Sequence, residues 1–97
     1  MTETTPVACT LSAAGQGAQI QRWQHLMGEA MTERAETPDG LRLSFRPEAE
    51  EELLALAAVE TECCRWATWT VERAAGTIVL RVRTTAEGAA ALHAMFR

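Results

Sequence analysis

Three residues in the second half of the sequence, Glu60, Cys63 and Cys64, place a carboxyl group and two thiols at helical spacing. Residues three and four positions apart share one face of a helix, so we expect both cysteine side chains to lie beside that of Glu60. Thiolates are the preferred ligands of soft ions, which makes Cys63 and Cys64 candidate ligands for Hg(II), Cu(I), As(III) or Zn(II). The alternative is an interaction domain in which the cysteines only pack as small hydrophobic side chains.

Cys9 is the third cysteine of the chain and the third candidate metal ligand. The alternation of apolar residues around it predicts a short strand over residues 6–11. An odd number of cysteines disfavours a disulfide scaffold. The side chains of adjacent residues in a helix point about 100° apart, which disfavours a bond between Cys63 and Cys64. Whether Cys9 reaches the pair depends on where the predicted strand ends, and both arrangements stay open.

The position of the cysteine pair at the end of a helix favours metal binding over nucleophilic catalysis. A helix C-terminus disfavours negative charge, and the neighbouring Glu60 adds to that effect, so the thiolate form is not favoured without a metal. A bound cation reverses this balance because it deprotonates a coordinating thiol. A cysteine hydrolase would also require a histidine beside its nucleophile.

A thiol-dependent enzyme is the main alternative to metal binding, with Glu60 as its candidate catalytic residue. In an organomercurial-lyase-like reaction, Cys63 and Cys64 would capture the metal while Glu60 protonates the departing carbon. Sulfur transfer is a second enzyme alternative, and it rests on an analogy with the fold of sulfur-carrier proteins. The sequence does not separate binding from catalysis.

The composition is that of a small globular protein, and we expect residues 1–97 to form one domain with a disordered tail over residues 1–5. The net charge of −4 disfavours nucleic acid and anionic membranes as partners. From the cysteines, we expect the partner to be a metal ion or a thiophilic small molecule. A homodimer that buries Trp66 and Trp69 also stays open. The N-terminal residues lack the features of a signal peptide, so we expect a cytoplasmic location, where thiols stay reduced.

Apolar periodicity and turn residues predict an α/β (α+β) two-layer sandwich, in the order β-α-β-α-β-β-α with a small mixed sheet. After the first strand, the sequence predicts a helix over residues 16–34 with Gln19 on its solvent face, and a strand over residues 41–45. A second helix is predicted from Pro47 through the cysteine pair, followed by strands over residues 69–73 and 77–82 that are joined by a three-residue loop. A capping box at Thr84 and Glu87 predicts the start of a last helix. The crossovers would make the first strands parallel.

Several short motifs resemble those of a group of small bacterial domains that is common in actinobacteria. The motifs are Ala8-Cys9-Thr10-Leu11, Arg22-Trp23, Gly40-Leu41-Arg42-Leu43 and Glu60-x-x-Cys63-Cys64-x-Trp66-x-x-Trp69. Together they span most of the chain, and tryptophan stands at 66 and 69 where the group has phenylalanine. Some of these domains are associated with mercury-resistance-type regulators. The resemblance therefore implies soft-metal or thiol chemistry.

Overall fold

The computed structural model describes the backbone of residues 13–96 and the side chains of residues 17–96. Its helices and strands follow one another in the order α-β-β-α-β-β-α. The elements are α1 (Ala13–Ala30), β1 (Met31–Thr37), β2 (Gly40–Phe45), a 3-10 turn (Pro47–Ala49), α2 (Glu50–Cys63), β3 (Thr68–Ala74), β4 (Thr77–Arg83) and α3 (Ala86–Met95). The tail and the strand predicted over residues 1–5 and 6–11 lie outside the described residues.

The four strands form one sheet in the order β1-β2-β4-β3, and each neighbouring pair is antiparallel. In the centre of the sheet, Leu43 of β2 pairs with Leu80 of β4. The sequence predicts that two crossovers make the first strands parallel. The first crossover starts from the strand over residues 6–11, which lies outside the described residues. The second links the strands predicted over residues 41–45 and 69–73; β2 and β3 do run in the same direction, but β4 lies between them, so the described strands form no parallel pair. The predicted α+β class is confirmed.

One face of the sheet carries the hydrophobic core and all three helices. Side chains alternate between the two faces of a strand, so every second residue of β2 and β4 points toward the helices. The buried core consists mainly of Leu41, Leu43 and Phe45 from β2, Ile78, Leu80 and Val82 from β4, and Trp23, Leu26, Leu53, Leu56 and Leu92 from the helices. This layer of helices on a sheet is the two-layer arrangement that the sequence predicts.

Strand β1 was not predicted, because the apolar pattern of the sequence predicts that the first helix continues to residue 34. Met31 follows Met27 at helical spacing, so the local pattern favours a longer helix. The structure ends α1 at Ala30, and Arg34 instead pairs with Leu43 across the sheet. This long-range pairing overrides the local preference, as tertiary contacts commonly do.

Two turns differ in detail from the prediction. The loop between β3 and β4 has two residues, Ala75 and Gly76, with φ of 40° and 84°, rather than three. Positive φ at both positions matches the tightest kind of hairpin turn. Thr85, rather than Thr84, caps α3 by accepting a hydrogen bond from the backbone N–H of Gly88.

None of the helices in the described part of the chain is long and apolar enough to cross a membrane.

Candidate metal centre

Helix α2 brings Glu60 and Cys63 to the protein interior and ends just before Cys64. Three glutamates in its first turn suit the positive end of the helix dipole. Its buried side chains, Leu53, Leu56, Ala57, Glu60 and Cys63, follow one another at intervals of one to three residues along a single face. At Cys64 the backbone leaves helical geometry, with φ of −118° and ψ of 66°. The second cysteine therefore sits at the turn where the helix stops.

The last turn of α2 is held by hydrogen bonds on both sides of Cys64. The backbone N–H of Cys64 donates to the carbonyl oxygen of Glu60 over 2.7 Å. The indole N–H of Trp69, at the start of β3, donates to the carbonyl oxygen of Cys64 over 3.2 Å. These two bonds satisfy backbone groups that a helix end would otherwise leave without partners, and they fix the position of the thiol.

Glu60, Cys63 and Cys64 form one buried cluster, as the sequence predicts. The Cys64 thiol donates to Glu60 Oε1 over 3.0 Å, and Cys63 Sγ lies 3.9 Å from the same oxygen. The two sulfur atoms are 3.8 Å apart, far beyond the roughly 2.05 Å of a disulfide bond. One ligand atom from each residue lies within 4.8 Å of the others, close enough to hold a metal ion. The exposed fractions are 2% for Glu60, 4% for Cys63 and 0% for Cys64.

The second carboxylate oxygen of Glu60 binds two residues of α1. Trp23 Nε1 donates to Glu60 Oε2 over 2.8 Å, and Gln19 Nε2 donates to the same atom over 2.9 Å. The Gln19 amide also lies 3.3 Å from the carbonyl oxygen of Leu56. Helix α1 therefore supplies half of the hydrogen-bonding environment of the carboxylate.

Gln19 was wrongly predicted to lie on the solvent face of the first helix, since only 7% of it is exposed. Gln19 was assigned to the solvent face because glutamine is polar. Its spacing indicates the buried position, because Gln19 lies four residues before Trp23 and so continues the stripe of buried residues on α1. A buried amide needs partners, and Glu60 provides one.

The charge environment of Glu60 favours a cation. Among residues 17–96, the donors that contact its carboxylate are uncharged groups: an amide, an indole and thiols. Burying a carboxylate is costly unless hydrogen bonds or an opposite charge offset the loss of water. The hydrogen bonds are present, and a bound cation would add the opposite charge.

Aromatic rings lie beside the site on the side of α1 and α3. The ring of Trp23 meets that of Phe96 edge to face, with centroids 4.9 Å apart. The Trp69 ring lies 6.3 Å from Trp23 and 6.1 Å from Phe96. Trp23 contacts the Glu60 carboxylate and Trp69 contacts the Cys64 carbonyl oxygen, so the rings give the cluster apolar surroundings, in which electrostatic interactions are stronger. Trp69 thus packs within its own chain.

Cys9 lies outside the described residues, so its predicted place in the ligand set stays a prediction. His25, the histidine of α1, is exposed and contacts Glu29.

Comparisons with known proteins give no family model, no curated protein and no solved structure that matches this chain.

Proposed function

We propose that this protein binds a soft heavy-metal ion through the thiolates of Cys63 and Cys64, with Glu60 as an oxygen ligand or as the counter-charge. The observation that carries the proposal is the buried cluster itself, in which the three ligand atoms lie within 4.8 Å of one another. Two sulfur ligands select soft ions over Mg²⁺ or Ca²⁺, which prefer oxygen.

The spacing of the two sulfur atoms supports an ion of tetrahedral or trigonal coordination. An ion about 2.3 Å from each of two sulfurs that are 3.8 Å apart makes a sulfur–metal–sulfur angle of about 110°. Zn(II), and Cu(I) or As(III) with three ligands, fit this angle with little movement. A linear pair of bonds, which two-coordinate Hg(II) would use, needs the sulfurs to separate to about 4.6 Å by the same bond length.

A third sulfur from Cys9 would complete a trigonal set, and the chain is long enough to supply it. Ala13 and Gln19 are six positions apart along α1, a rise of about 9 Å, and Gln19 contacts Glu60 directly. Four extended residues from Ala13 back to Cys9 span up to about 14 Å. The four-residue segment from Ala13 to Cys9 is therefore long enough to reach back along α1 to the level of Gln19, and we propose Cys9 as the third ligand.

The resemblance to domains associated with mercury-resistance-type regulators agrees with this proposal. It also suggests the setting, because a protein that holds a soft ion in a buried site suits metal resistance or metal sensing. We propose that role for this chain.

Titration of the reduced protein tests the proposal. Hg(II), Cu(I) or Zn(II) is added while the thiolate-to-metal absorbance, or competition with a colorimetric chelator for Zn(II), is followed. We expect an endpoint of one ion per chain, and a weaker or absent response in Cys63→Ser and Cys64→Ser. Ala58→Ser is the matched control, because Ala58 is an exposed residue of the same helix. An endpoint that is the same in both cysteine variants as in the control would overturn the assignment.

Thiol-dependent catalysis is a second candidate, and the position of Glu60 favours it. Glu60 contacts the Cys64 thiol and also borders a cavity of about 50 Å³. In a protonolysis of a methylmercury ion, the Cys64 thiol would pass its proton to the Glu60 carboxylate as its sulfur binds the metal; the carbon–metal bond then breaks, carbon takes that proton from Glu60, and the metal stays on the thiolates. Methane release, measured by gas chromatography, tests this reaction. Release by wild type but not by Glu60→Gln would support it, and no release by wild type would exclude it.

A further inference from the structure

The buried cluster needs a route by which an ion reaches it, and a cavity borders one of its three residues, Glu60. Ile20, Trp23, Glu60, Met95 and Phe96 line this cavity, which has a volume of about 50 Å³. Ile20 and Met95 are 45% and 41% exposed, so the cavity opens to solvent between α1 and the end of α3. A volume of this size exceeds what one water molecule needs, so a partly hydrated ion can enter.

A larger groove adjoins the cavity, and most of the methionine residues of the chain line it. This methionine groove has a volume of about 400 Å³, and Met27, Met31 and Met95 line it together with Trp23. Met95 and Trp23 border both the groove and the cavity, so the two spaces meet there. The sequence contains four methionines, and three of them lie in this one groove. Three methionine residues thus line the groove that shares Trp23 and Met95 with the cavity beside Glu60.

We propose that the methionine groove is a second, weaker site for a soft monovalent cation, Cu(I) or Ag(I), and that the ion passes from it to the cysteine cluster. The proposal rests on the proposed function, since it supplies the access route to that site. Thioethers are uncharged soft ligands that suit Cu(I) but not Mg²⁺ or Ca²⁺. The face of an indole ring attracts cations, so Trp23 adds to the binding.

The positively charged side chain of Arg34 borders the groove but does not prevent it from binding a cation. Arg34 lines the groove, but its guanidinium group is already engaged. It forms an ion pair with Glu36 over 2.7 Å and donates to the carbonyl oxygens of Phe96 and His93. Glu36 offsets its charge, and the hydrogen bonds hold the guanidinium at the end of α3.

The competing explanation is that these methionines only fill space. Replacement by leucine separates the two, because leucine keeps nearly the same volume and apolar character while it removes the sulfur. We therefore compare wild type with the triple variant Met27→Leu/Met31→Leu/Met95→Leu. Leu54→Met is the control, since Leu54 is an exposed residue of α2 and the change adds a thioether away from the groove.

The direct test labels the methionine methyl groups with ¹³C in a full chain whose three cysteines are changed to serine. On titration with Ag(I), we expect the methyl signals of Met27, Met31 and Met95 to shift together and to saturate, while a methionine added at exposed position 54 (Leu54→Met) serves as the internal reference. Zn(II) should leave the signals of Met27, Met31 and Met95 unchanged. Methyl signals that ignore Ag(I), or that respond equally to Zn(II), would overturn the proposal. Because this chain lacks thiols, failure of the cysteine site does not affect the result.

A kinetic test in the protein with its cysteines intact guards against poor folding of the serine variant. Ag(I) in a weak complex is mixed rapidly with each protein, and the silver–thiolate absorbance is followed. We expect the triple leucine variant to reach the same endpoint roughly tenfold more slowly, which corresponds to about 1.4 kcal/mol of added activation free energy for capture. The control should match wild type. An equal rate in the triple variant would contradict a role for the groove in ion capture.

Discussion

The indole N–H of Trp23 donates a hydrogen bond to Glu60 Oε2 over 2.8 Å, and both residues are almost fully buried. This bond joins α1 to α2 at the candidate metal centre. The same carboxylate accepts from the Cys64 thiol through its other oxygen. The packing of the two helices and the position of the thiol therefore depend on one side chain.

Trp23→Phe should destabilise the fold, because it keeps an aromatic ring but removes a donor from a buried carboxylate. An unsatisfied buried polar group costs about 1–3 kcal/mol, and each kcal/mol lowers the melting temperature of a domain of this size by about 4–8 °C. A thermal melt followed by circular dichroism measures the change. Gln21→Ala, at an exposed position of the same helix, is the control. A loss no larger than that of the control would show that the hydrogen bond contributes little.

The candidate site was predictable from the sequence only where it is local. Glu60, Cys63 and Cys64 lie within five residues of one another, and helical spacing alone brings them together. Gln19 lies 41 residues from Glu60, and only the packing of α1 against α2 makes them partners. Strand β1 was missed for the same reason, because its pairing with β2 has no local signal at the end of α1.

Gly40→Ala should destabilise the protein strongly, because Gly40 opens β2 where it packs closely against β4. A β-carbon at this position would overlap the carbonyl oxygen of Val82, which belongs to the backbone and cannot move without breaking the strand pairing. Overpacking of this kind costs about 1–3 kcal/mol or more. Urea denaturation measures the free energy of unfolding.

Gly17→Ala is the matched substitution, and we expect the opposite sign. Gly17 lies within α1, and a β-carbon there meets no atom within 4 Å. Alanine should therefore stabilise the helix by about 0.5–1 kcal/mol. If Gly40→Ala and Gly17→Ala gave the same change in unfolding free energy, the close contact between position 40 and the backbone of Val82 would be contradicted.

The pKa of Glu52 should lie below its ordinary value, because the side-chain hydrogen bond from Arg22 stabilises the carboxylate. A lowered pKa in the folded state stabilises the protein above the pKa of the unfolded chain, and this stabilisation is lost as the pH falls through the folded-state value. In Arg22→Gln, an NMR titration should move the Glu52 midpoint up toward the ordinary value of a glutamate side chain. The stability difference between the two proteins should be present at neutral pH and vanish in acid. An unchanged midpoint would contradict the ion pair between α1 and α2.

The central claim is that Cys63 and Cys64 are metal ligands rather than packing residues, and thermal melts with and without metal test it most directly. Wild type and Cys63→Ala/Cys64→Ala are melted alone and with Hg(II), Cu(I), Zn(II) or arsenite. A ligand at a hundredfold excess over its Kd stabilises the folded state by about 2.7 kcal/mol, a shift of many degrees for a chain of this size. We predict that at least one ion raises the melting temperature of wild type and not that of the variant. A wild type that ignores all four ions, or a variant that responds as strongly, would contradict the claim.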